Sequence, residues 1–271
     1  MTWDLHSHST RSDGRLTPSA LLERAGLAGL KAFALTDHDT LAGLPEAAEA
    51  AEAAGVRLVP GIEISTHFDG RGLHLLAFWG AMGAWSSEFE ALLERRLEGR
   101  RARLRAMAEA LAEHGVALDV ERVERGADGA VTRAHVAEEL VRTGAVRSKQ
   151  QAFDRWIGVG KPGFVSSEKF PTEEAIALVR AEGGIPVVAH PGERELDRAE
   201  LKTLAEAGLG GVEAVHPCHG RRHRMEYRRW ARELDLVVTA GSDFHGHAGA
   251  RLLRRGEGLK AHEWEAFAER L

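Results

Sequence analysis

The fold of this chain is decided by residues 4–14, which read Asp-Leu-His-Ser-His-Ser-Thr-Arg-Ser-Asp-Gly. The apolar start predicts a short strand over residues 2–8. Because residues two apart on a strand point to the same side, His6 and His8 aim two imidazoles at one point. Asp13 can approach that point from the following loop. A lone His-x-His is a weak metal signal, and an ordinary polar strand end explains it equally well.

The same pattern recurs along the chain. Ligand-type residues directly follow an apolar run in Thr-Asp-His-Asp at 36–39, Gly-Ile-Glu at 61–63, His74, Ala-His-Pro at 189–191 and Gly-Ser-Asp-Phe-His at 241–245. Chance placement of polar residues at strand ends does not account for so many concordant positions. One metal ion takes four to six donors, so nine donors suit two or three ions. The nine candidate ligands are His6, His8, Asp13, His38, Glu63, His74, His190, Asp243 and His245.

The donor types indicate which metals and which chemistry to expect. Imidazole and carboxylate without thiolate favour Mn²⁺, Zn²⁺ or Fe²⁺ over Ca²⁺ or Mg²⁺ alone. A carboxylate such as Glu63 or Asp243 can bridge two ions. Clustered divalent ions are typical of phosphoester hydrolysis, in which they generate hydroxide and neutralise the attacking and leaving oxygens. We therefore expect a phosphoesterase that uses attack by a metal-bound hydroxide.

Composition excludes several other classes of protein. The chain has 271 residues, of which 44% are hydrophobic and 28% charged, as in ordinary globular proteins. Its net charge of −5 provides no general attraction to nucleic acid or membrane, so an anionic substrate must be held by local cations or metals. Cys218 is the single cysteine, which excludes a disulfide framework and favours the cytoplasm. We expect no signal peptide, no membrane segment and no obligate protein partner.

The order of predicted elements favours an α/β barrel. Short apolar runs alternate with helical patterns, which predicts parallel strands joined by helices, with ligands at the carboxyl ends of the strands. Helical periodicity replaces this alternation from about residue 83 to 160. We predict a barrel formed by residues 1–82 and 165–271, with a helical insertion at 83–164. A doubly wound open sheet is the alternative, but ligands from six segments favour a closed barrel.

The ligand motifs, in this order, resemble those of the PHP (polymerase and histidinol phosphatase) superfamily. The resemblance covers about residues 1–80 and 165–271 and implies a distorted (β/α)7 barrel with a trinuclear metal site. It implies three ligand sets, namely His6, His8, Glu63 and Asp243 for one ion, Glu63, His74 and His190 for the second, and Asp13, His38 and His245 for the third.

Shorter motifs narrow the resemblance. Thr-Arg-x-His at 132–135, Gly-Lys-Pro at 160–162 and Glu-Ala-Val-His-Pro at 213–217 are similar to those of small PHP phosphoesterases with a helical insertion. That subgroup includes nucleoside 3′,5′-bisphosphate phosphatases and a 5′→3′ exoribonuclease that trims short RNAs. The implied substrates are 3′,5′-bisphosphonucleosides such as pAp, short 5′-phosphorylated RNAs, or both.

Three further residues are candidates for contact with substrate. Arg133 and Lys161 would form a cationic clamp on phosphate, because guanidinium binds phosphate through two parallel hydrogen bonds. His216 would bind phosphate or protonate the leaving oxygen. Each also has a plainer interpretation: Arg133 as a solvated first-turn residue, Lys161 as part of a turn, and His216 as a metal ligand.

Other features leave alternatives open. Trp156 and Phe164 would stack on a base or pack between helices, and the basic run 221–229 would attract a polyanion or form a solvated helix. The chain would alternatively hydrolyse histidinol phosphate or another small phosphomonoester. A non-catalytic, metal-stabilised accessory module is the third possibility.

Overall fold

The computed structural model describes residues 2–127, 129–166, 168, 170–254 and 256–271. Its strands form one sheet in chain order: β1 Trp3–Asp4, β2 Ala32–Leu35, β3 Arg57–Phe68, β4 Arg71–Phe78, β5 Ile185–Val188, β6 Gly211–Val215 and β7 Val237–Ala240. The two ends of the sheet meet, because the Leu5 N–H donates to the Ala240 carbonyl at 2.9 Å and the His8 N–H to the Phe244 carbonyl at 3.0 Å. The sheet is therefore a nearly closed seven-stranded barrel, and the predicted fold class is confirmed.

Helices connect the strands, and local sequence sets where they begin and end. The helices are α1 Pro18–Leu27, α2 Leu44–Ala54, α3 Ser87–Ala112, α4 Val120–Gly126, α5 Arg133–Arg142, α6 Lys149–Ala152, α7 Thr172–Ala181, α8 Arg198–Glu206, α9 Arg221–Glu233 and α10 Ala261–Ala268. The Thr17 hydroxyl caps α1 by accepting from the Ala20 N–H, as the Thr-Pro sequence predicts. Gly55 ends α2 with a φ of 64°. None of these described helices is long and apolar enough to cross a membrane.

One strand contradicts the expectation of a wholly parallel sheet. β4 runs antiparallel to both β3 and β5, while the other neighbouring strands are parallel. The reason is the link between β3 and β4, which consists of Asp69 and Gly70 alone. Both residues have positive φ, 47° and 74°, as in the two-residue turns that favour hairpins. So short a link can join only antiparallel strands, because a parallel crossover needs a dozen or more residues.

The reversed strand also corrects where two of the predicted ligands lie. Glu63 and His74 lie within β3 and β4 and not after strand ends. β3 extends past β2, whose last residue pairs with Pro60, so Glu63 lies above the end of that neighbour. The His74 carbonyl accepts from the N–H of Ala189, directly after β5, at 3.0 Å. Both residues therefore reach the same edge of the barrel as the other candidates.

The first strand is shorter than the predicted strand over residues 2–8. β1 ends at Asp4, whose buried carboxylate accepts from the backbone N–H groups of Ser242 at 2.8 Å and Leu253 at 3.0 Å. These bonds attach the start of the chain to the segment after β7. His6 and His8 follow β1, with ring centroids 5.2 Å apart.

The insertion has a hydrophobic core of its own. Its first helix, α3, is continuous, because Gly99 lowers helix stability by only about 1 kcal/mol relative to alanine and does not interrupt it. Phe89, near the start of α3, packs into the barrel core, whereas Leu111, near its end, packs among α4, α5 and α6. Near the end of the insertion, α6 is followed directly by a π-helical turn, Phe153–Ile157.

Candidate metal centre

The first group of donors surrounds the two histidines that follow β1. His6 Nε2 lies 3.3 Å from Glu63 Oε2 and 3.4 Å from Asp243 Oδ1. His8 Nε2 lies 3.2 Å and 3.1 Å from the same two oxygens. The four side chains from three distant segments therefore direct their ligand atoms at one small volume, as the first predicted ligand set requires.

The second group is assembled on the other oxygen of the same glutamate. Glu63 Oε1 lies 2.9 Å from His74 Nδ1 and 3.0 Å from His190 Nε2, and those two nitrogens are 3.3 Å apart. Glu63 is 1% exposed, so its carboxylate lies buried between the two groups. One oxygen faces each group, which is the arrangement of a bridging carboxylate.

The third group lies on the opposite side of His8. Asp13 Oδ1 lies 3.2 Å from His245 Nε2 and 3.9 Å from His8 Nδ1, and Asp13 Oδ2 lies 4.0 Å from His38 Nε2. His38 also reaches the centre, because its Nδ1 lies 3.1 Å from Glu63 Oε2. All nine predicted ligands therefore form one continuous cluster at the mouth of the barrel.

The hydrogen bonding of the cluster fits divalent cations. Buried atoms without a hydrogen-bond partner include His6 Nε2, His8 Nε2, Asp13 Oδ1, His38 Nδ1 and His190 Nδ1. A buried polar atom of this kind costs free energy unless something satisfies it. Imidazole nitrogens and carboxylate oxygens in such numbers are the donors that Mn²⁺, Zn²⁺ and Fe²⁺ share.

The electrostatics of the cluster are those of a pocket that favours positive charge. Burial by itself would raise the carboxyl pKa values, but the neighbouring histidines hold the pKa values of Asp13, Glu63 and Asp243 well below the ordinary range. Burial likewise lowers the pKa of His8, but Asp243 and Glu63 outweigh it and raise that pKa to about 10. The cluster therefore retains its carboxylates in ionised form.

Polar residues behind the ligands hold them in position. Asp37 accepts from the hydroxyls of Ser9 and Ser12 at 2.6 Å each, and the Ser12 hydroxyl lies 3.4 Å from His8 Nδ1. Asp39, on the other side of His38 in the sequence, binds the guanidinium groups of helix α3. Asp37 thus supports His8, whereas Asp39 attaches the insertion.

The strongest supporting residue lies in β6. Glu213 is fully buried, and its carboxylate accepts from His6 Nδ1 at 3.1 Å and from the His190 N–H at 2.8 Å. We had quoted Glu213 within a motif but assigned it no role. Its signal was present, because a glutamate inside the apolar strand Gly211–Val215 needs a buried partner.

His216 lies at the edge of the cluster. It follows β6, is 4% exposed, and places Nε2 3.4 Å from Asp243 Oδ2. Its other nitrogen, Nδ1, lies 2.9 Å from Cys218 Sγ and accepts from the Cys218 N–H at 3.2 Å. The ring therefore directs Nε2 toward the cluster and Nδ1 toward the rim.

A group of arginines from the insertion and from the loop after β5 borders the same mouth. The Arg133 guanidinium lies over the rings of Phe153 and Phe164, at 5.6 Å and 5.9 Å from their centroids. Burial and the charge of Arg194 lower the pKa of Arg133, and burial with Arg133 and Arg100 lowers that of Arg103 to about 10. Among the described residues, neither Arg103, Arg133 nor Arg194 forms an ion pair with a carboxylate, so their charge remains available to an anion.

Sequence reasoning found only one member of that arginine group. Arg103 and Arg194 donate to the carbonyls of Val165 at 2.7 Å and Gly72 at 3.0 Å, which holds them at the mouth. Lys161 lies on an exposed turn closed by its N–H to the Gly158 carbonyl at 3.0 Å. The described contacts do not connect the Lys161 side chain with the nine donors.

Known proteins of similar sequence and structure agree on one family. The model of the PHP domain matches residues 4–110. A 5′-3′ exoribonuclease of Haemophilus influenzae is 38% identical over 251 residues, which is 91% of each chain. The chain belongs to the PHP family. A 3′,5′-nucleoside bisphosphate phosphatase of Chromobacterium violaceum is 34% identical over 89% of this chain and 86% of its own.

Solved structures support the same assignment for the whole PHP fold. The crystal structure of a proposed metal-dependent phosphoesterase from Bifidobacterium adolescentis matches with a TM-score of 0.87 at 29% identity. The match covers 99% of this chain and 96% of that one, so it includes the insertion as well as the barrel. This PHP protein therefore shares its complete architecture with that relative.

The basic helix of this PHP protein has mainly structural partners. In α9, Arg228 pairs with Glu263 at 2.6 Å, and Arg222 pairs with Glu226 at 3.0 Å. Arg224 donates to the carbonyl of His219 at 2.9 Å. These contacts favour the interpretation of the basic run as a solvated helix that also supports the His216 loop.

Proposed function

We propose that this PHP enzyme hydrolyses phosphate esters of nucleotides, with 3′,5′-bisphosphonucleosides such as pAp and short 5′-phosphorylated RNA as substrates. The observation that carries the proposal is the juxtaposition of a nine-donor cluster with arginines that have no carboxylate partner. The cluster suits hydrolysis of one phosphate, and the arginines suit binding of another. The relatives named above are a 5′-3′ exoribonuclease and a 3′,5′-nucleoside bisphosphate phosphatase, which supports the same substrate class.

The three donor groups would hold two or three divalent ions, with Glu63 shared between them. When bound, such ions supply two things, a lowered pKa for water and neutralisation of phosphoryl oxygens. The protein supplies the rigidity of the site. Glu213 holds His6 through a direct hydrogen bond, and Asp37 holds His8 through the hydroxyl of Ser12, so little reorganisation is needed at the moment of reaction.

The arginine group would bind the phosphate that does not react. Arg133 lies over two aromatic rings, which fixes its guanidinium plane and leaves its N–H groups for phosphate. A monoester with a single phosphate, such as histidinol phosphate, would bind at the cluster and leave these arginines without an anionic partner. Their presence therefore favours a nucleotide with two phosphates, or RNA with a 5′-phosphate.

His216 would act on the ester oxygen at the edge of the cluster. The Cys218 N–H donates to Nδ1, so the neutral ring has its proton on Nε2, which faces Asp243. By turning from Asp243 toward a bound substrate, Nε2 would donate to a phosphate oxygen or to the departing alkoxide. The insertion would cover the mouth as a cap, with the aromatic side chains Phe164 and Trp156 available to a base.

A substrate panel tests the proposal. Protein loaded with Mn²⁺ or Fe²⁺ is assayed with pAp, a 5′-phosphorylated RNA trinucleotide, histidinol phosphate and a simple aryl phosphate. We expect the highest kcat/KM for pAp or the trinucleotide. A preference for histidinol phosphate would favour the small-monoester alternative, and absence of hydrolysis with every metal would favour the accessory-module alternative.

The arginine group is tested by the change Arg133→Ala. Loss of charge-assisted hydrogen bonds worth about 1.5–3 kcal/mol corresponds to a roughly 10–100-fold lower kcat/KM for pAp. Hydrolysis of the aryl phosphate, which lacks a second phosphate, should change little. The matched control is Arg125→Ala, since Arg125 is 69% exposed and pairs with Glu121 in the same helix. Equal losses for both substrates would contradict the role of Arg133 as the anchor of the second phosphate.

A further inference from the structure

A separate set of potential metal ligands lies on the rim beside the nine-donor cluster. Glu193, His216 and Cys218 each place one ligand atom within 4.8 Å of the others. His216 Nδ1 and Cys218 Sγ are already 2.9 Å apart. Neither Glu193 nor Cys218 belongs to the nine donors, and the nine include no sulfur. The set therefore differs from the cluster in chemistry as well as in position.

The two loops that carry this set are held together by a buried histidine. Glu193 ends the single 3₁₀ turn after β5, while His216 and Cys218 follow β6. His219, which is 2% exposed, accepts from the Gly192 N–H at 3.0 Å through Nε2. A Cβ atom on Gly192 would lie 2.5 Å from the His219 ring, so glycine permits this close approach. The spacing between the ligand-bearing loops is thus fixed by the fold.

The orientation of the His216 ring also suits a metal ligand. Its Nδ1 carries a lone pair and not a proton on the side of Cys218, and a metal ion would replace the Cys218 N–H as the partner of that lone pair. Its Nε2 lies 3.4 Å from a carboxylate oxygen of Asp243. Histidine ligands usually have a carboxylate at the ring nitrogen that does not bind the metal, because it fixes the ring and increases its basicity.

Two observations indicate that a cation is favoured there. The negative charges of Glu193, Glu213 and Asp243 all act on the Cys218 side chain, and the same charges attract a positive ion. In addition, the contact that the described residues make with the Glu193 carboxylate is from His190 Nδ1 to Oε2, at 3.4 Å. The other oxygen, Oε1, is therefore open to a cation.

We propose that Glu193, His216 and Cys218 form an outer, regulatory cation site that is selective for Zn²⁺. Thiolate, imidazole and carboxylate are ligands of tetrahedral zinc, whose ligand atoms lie about 3.5 Å apart, within reach of small side-chain rotations here. Binding replaces the thiol proton, which is released to solvent as the Zn–S bond forms. Occupation holds the His216 ring against Asp243 and prevents it from turning to substrate. This inhibitory consequence rests on the proposed function, whereas the site itself does not.

Cobalt absorption tests the site without any assay of activity. Protein preloaded with Mn²⁺ is titrated with Co²⁺, which substitutes for zinc and gives a near-ultraviolet charge-transfer band only when bound to thiolate. Because Cys218 is the single cysteine, that band reports this site alone. We expect the band to saturate at one equivalent of bound Co²⁺ in the wild type and to be absent in Cys218→Ser. Absence of the band in the wild type would overturn the proposal.

Zinc inhibition tests the consequence. In Mn²⁺-loaded wild type, we expect added Zn²⁺ to inhibit hydrolysis of a simple aryl phosphate. Cys218→Ser and Glu193→Gln should need at least tenfold more Zn²⁺, the lower end of the roughly 10–100-fold loss seen when a ligand loses even an indirect partner. Equal inhibition of wild type and both variants would assign the effect to the central cluster and overturn the regulatory role. If no substrate is hydrolysed at all, the proposed function fails, and the cobalt band still decides whether the site exists.

Discussion

At the residue scale, the centre depends on side chains that bind no metal themselves. Glu213 accepts from His6 Nδ1, which leaves His6 Nε2 facing Glu63 and Asp243. Gly241 allows this packing, because a Cβ atom there would lie 2.1 Å from the His6 Cβ and 2.5 Å from Glu213 Oε1. The orientation of a ligand is thus set by its buried neighbours as much as by its own backbone.

The change Glu213→Gln tests this dependence. The amide keeps the shape of the side chain but removes the charge that stabilises His6 in its ligating orientation. We expect the affinity for divalent ions to fall roughly 10–100-fold, with the fold retained. Metal content after dialysis against limiting Mn²⁺ measures the effect. The matched control is Glu233→Gln, at an exposed ion pair of α9 with Arg198, and equal metal content in both variants would contradict the role of Glu213.

At the scale of elements, one buried carboxylate of the barrel contributes to the attachment of helix α3. Asp39 is 1% exposed and binds Arg96 at 3.2 Å and Arg100 Nε at 2.9 Å. Burial acts to raise the pKa of Asp39, but Arg100 and Arg96 outweigh it and lower that pKa to about 2. Arg100 also donates to the Val131 carbonyl at 3.0 Å, so the same side chain connects α3 with the start of α5.

Replacing Asp39 by asparagine should break its ion pairs with Arg96 and Arg100. Removing one partner of a buried ion pair leaves uncompensated charge and typically costs 3–5 kcal/mol, so we expect a loss of about that size in the free energy of unfolding. Urea denaturation measures it. The control is Asp235→Asn at an exposed pair with Arg270, where the change should stay within about 0.5 kcal/mol. A similarly small change for Asp39→Asn would show that α3 is held by apolar packing alone.

At the scale of the whole molecule, the barrel mouth concentrates buried charge that is best compensated by metal. Asp13, Glu63 and Asp243 approach one another within a cluster of histidines that belongs to segments from both ends of the chain. The unfolded chain cannot assemble this set. Metal therefore binds the folded state preferentially and should stabilise it.

Removal of metal should accordingly lower the melting temperature. Metal at a concentration 100 times its Kd adds about 2.7 kcal/mol to the free energy of unfolding. Each 1 kcal/mol of that free energy corresponds to about 2–4 °C in Tm for a protein of this size. We expect treatment with EDTA to lower Tm by roughly 5–10 °C and Mn²⁺ to restore it, as measured by differential scanning fluorimetry. Glu63→Gln, which lacks the bridging carboxylate, should show little response to Mn²⁺. An equal response in this variant would contradict the central position of Glu63.

The extent of prediction from sequence differs between the barrel and the site. The alternation of elements predicted the α/β barrel, because apolar periodicity reflects burial within each segment. The reversal of β4 was missed although the hairpin dipeptide Asp69-Gly70 was a usable signal. Arg103 and Arg194 were missed because one arginine in a helix and one in a loop look like solvated residues until the fold brings them together.

The sequence by itself determined which donors this protein has and which chemistry they suit, because ligand type and local spacing are properties of short segments. Only the tertiary structure decided which atom of each donor faces which neighbour. Glu63 presents one oxygen to His6 and His8 and the other to His74 and His190. Likewise, Glu213 supports His6 across 207 residues of chain. Such contacts follow from closure of the barrel and from the antiparallel β4. Both features involve residues far apart in the sequence, so the periodicity of one segment does not predict them.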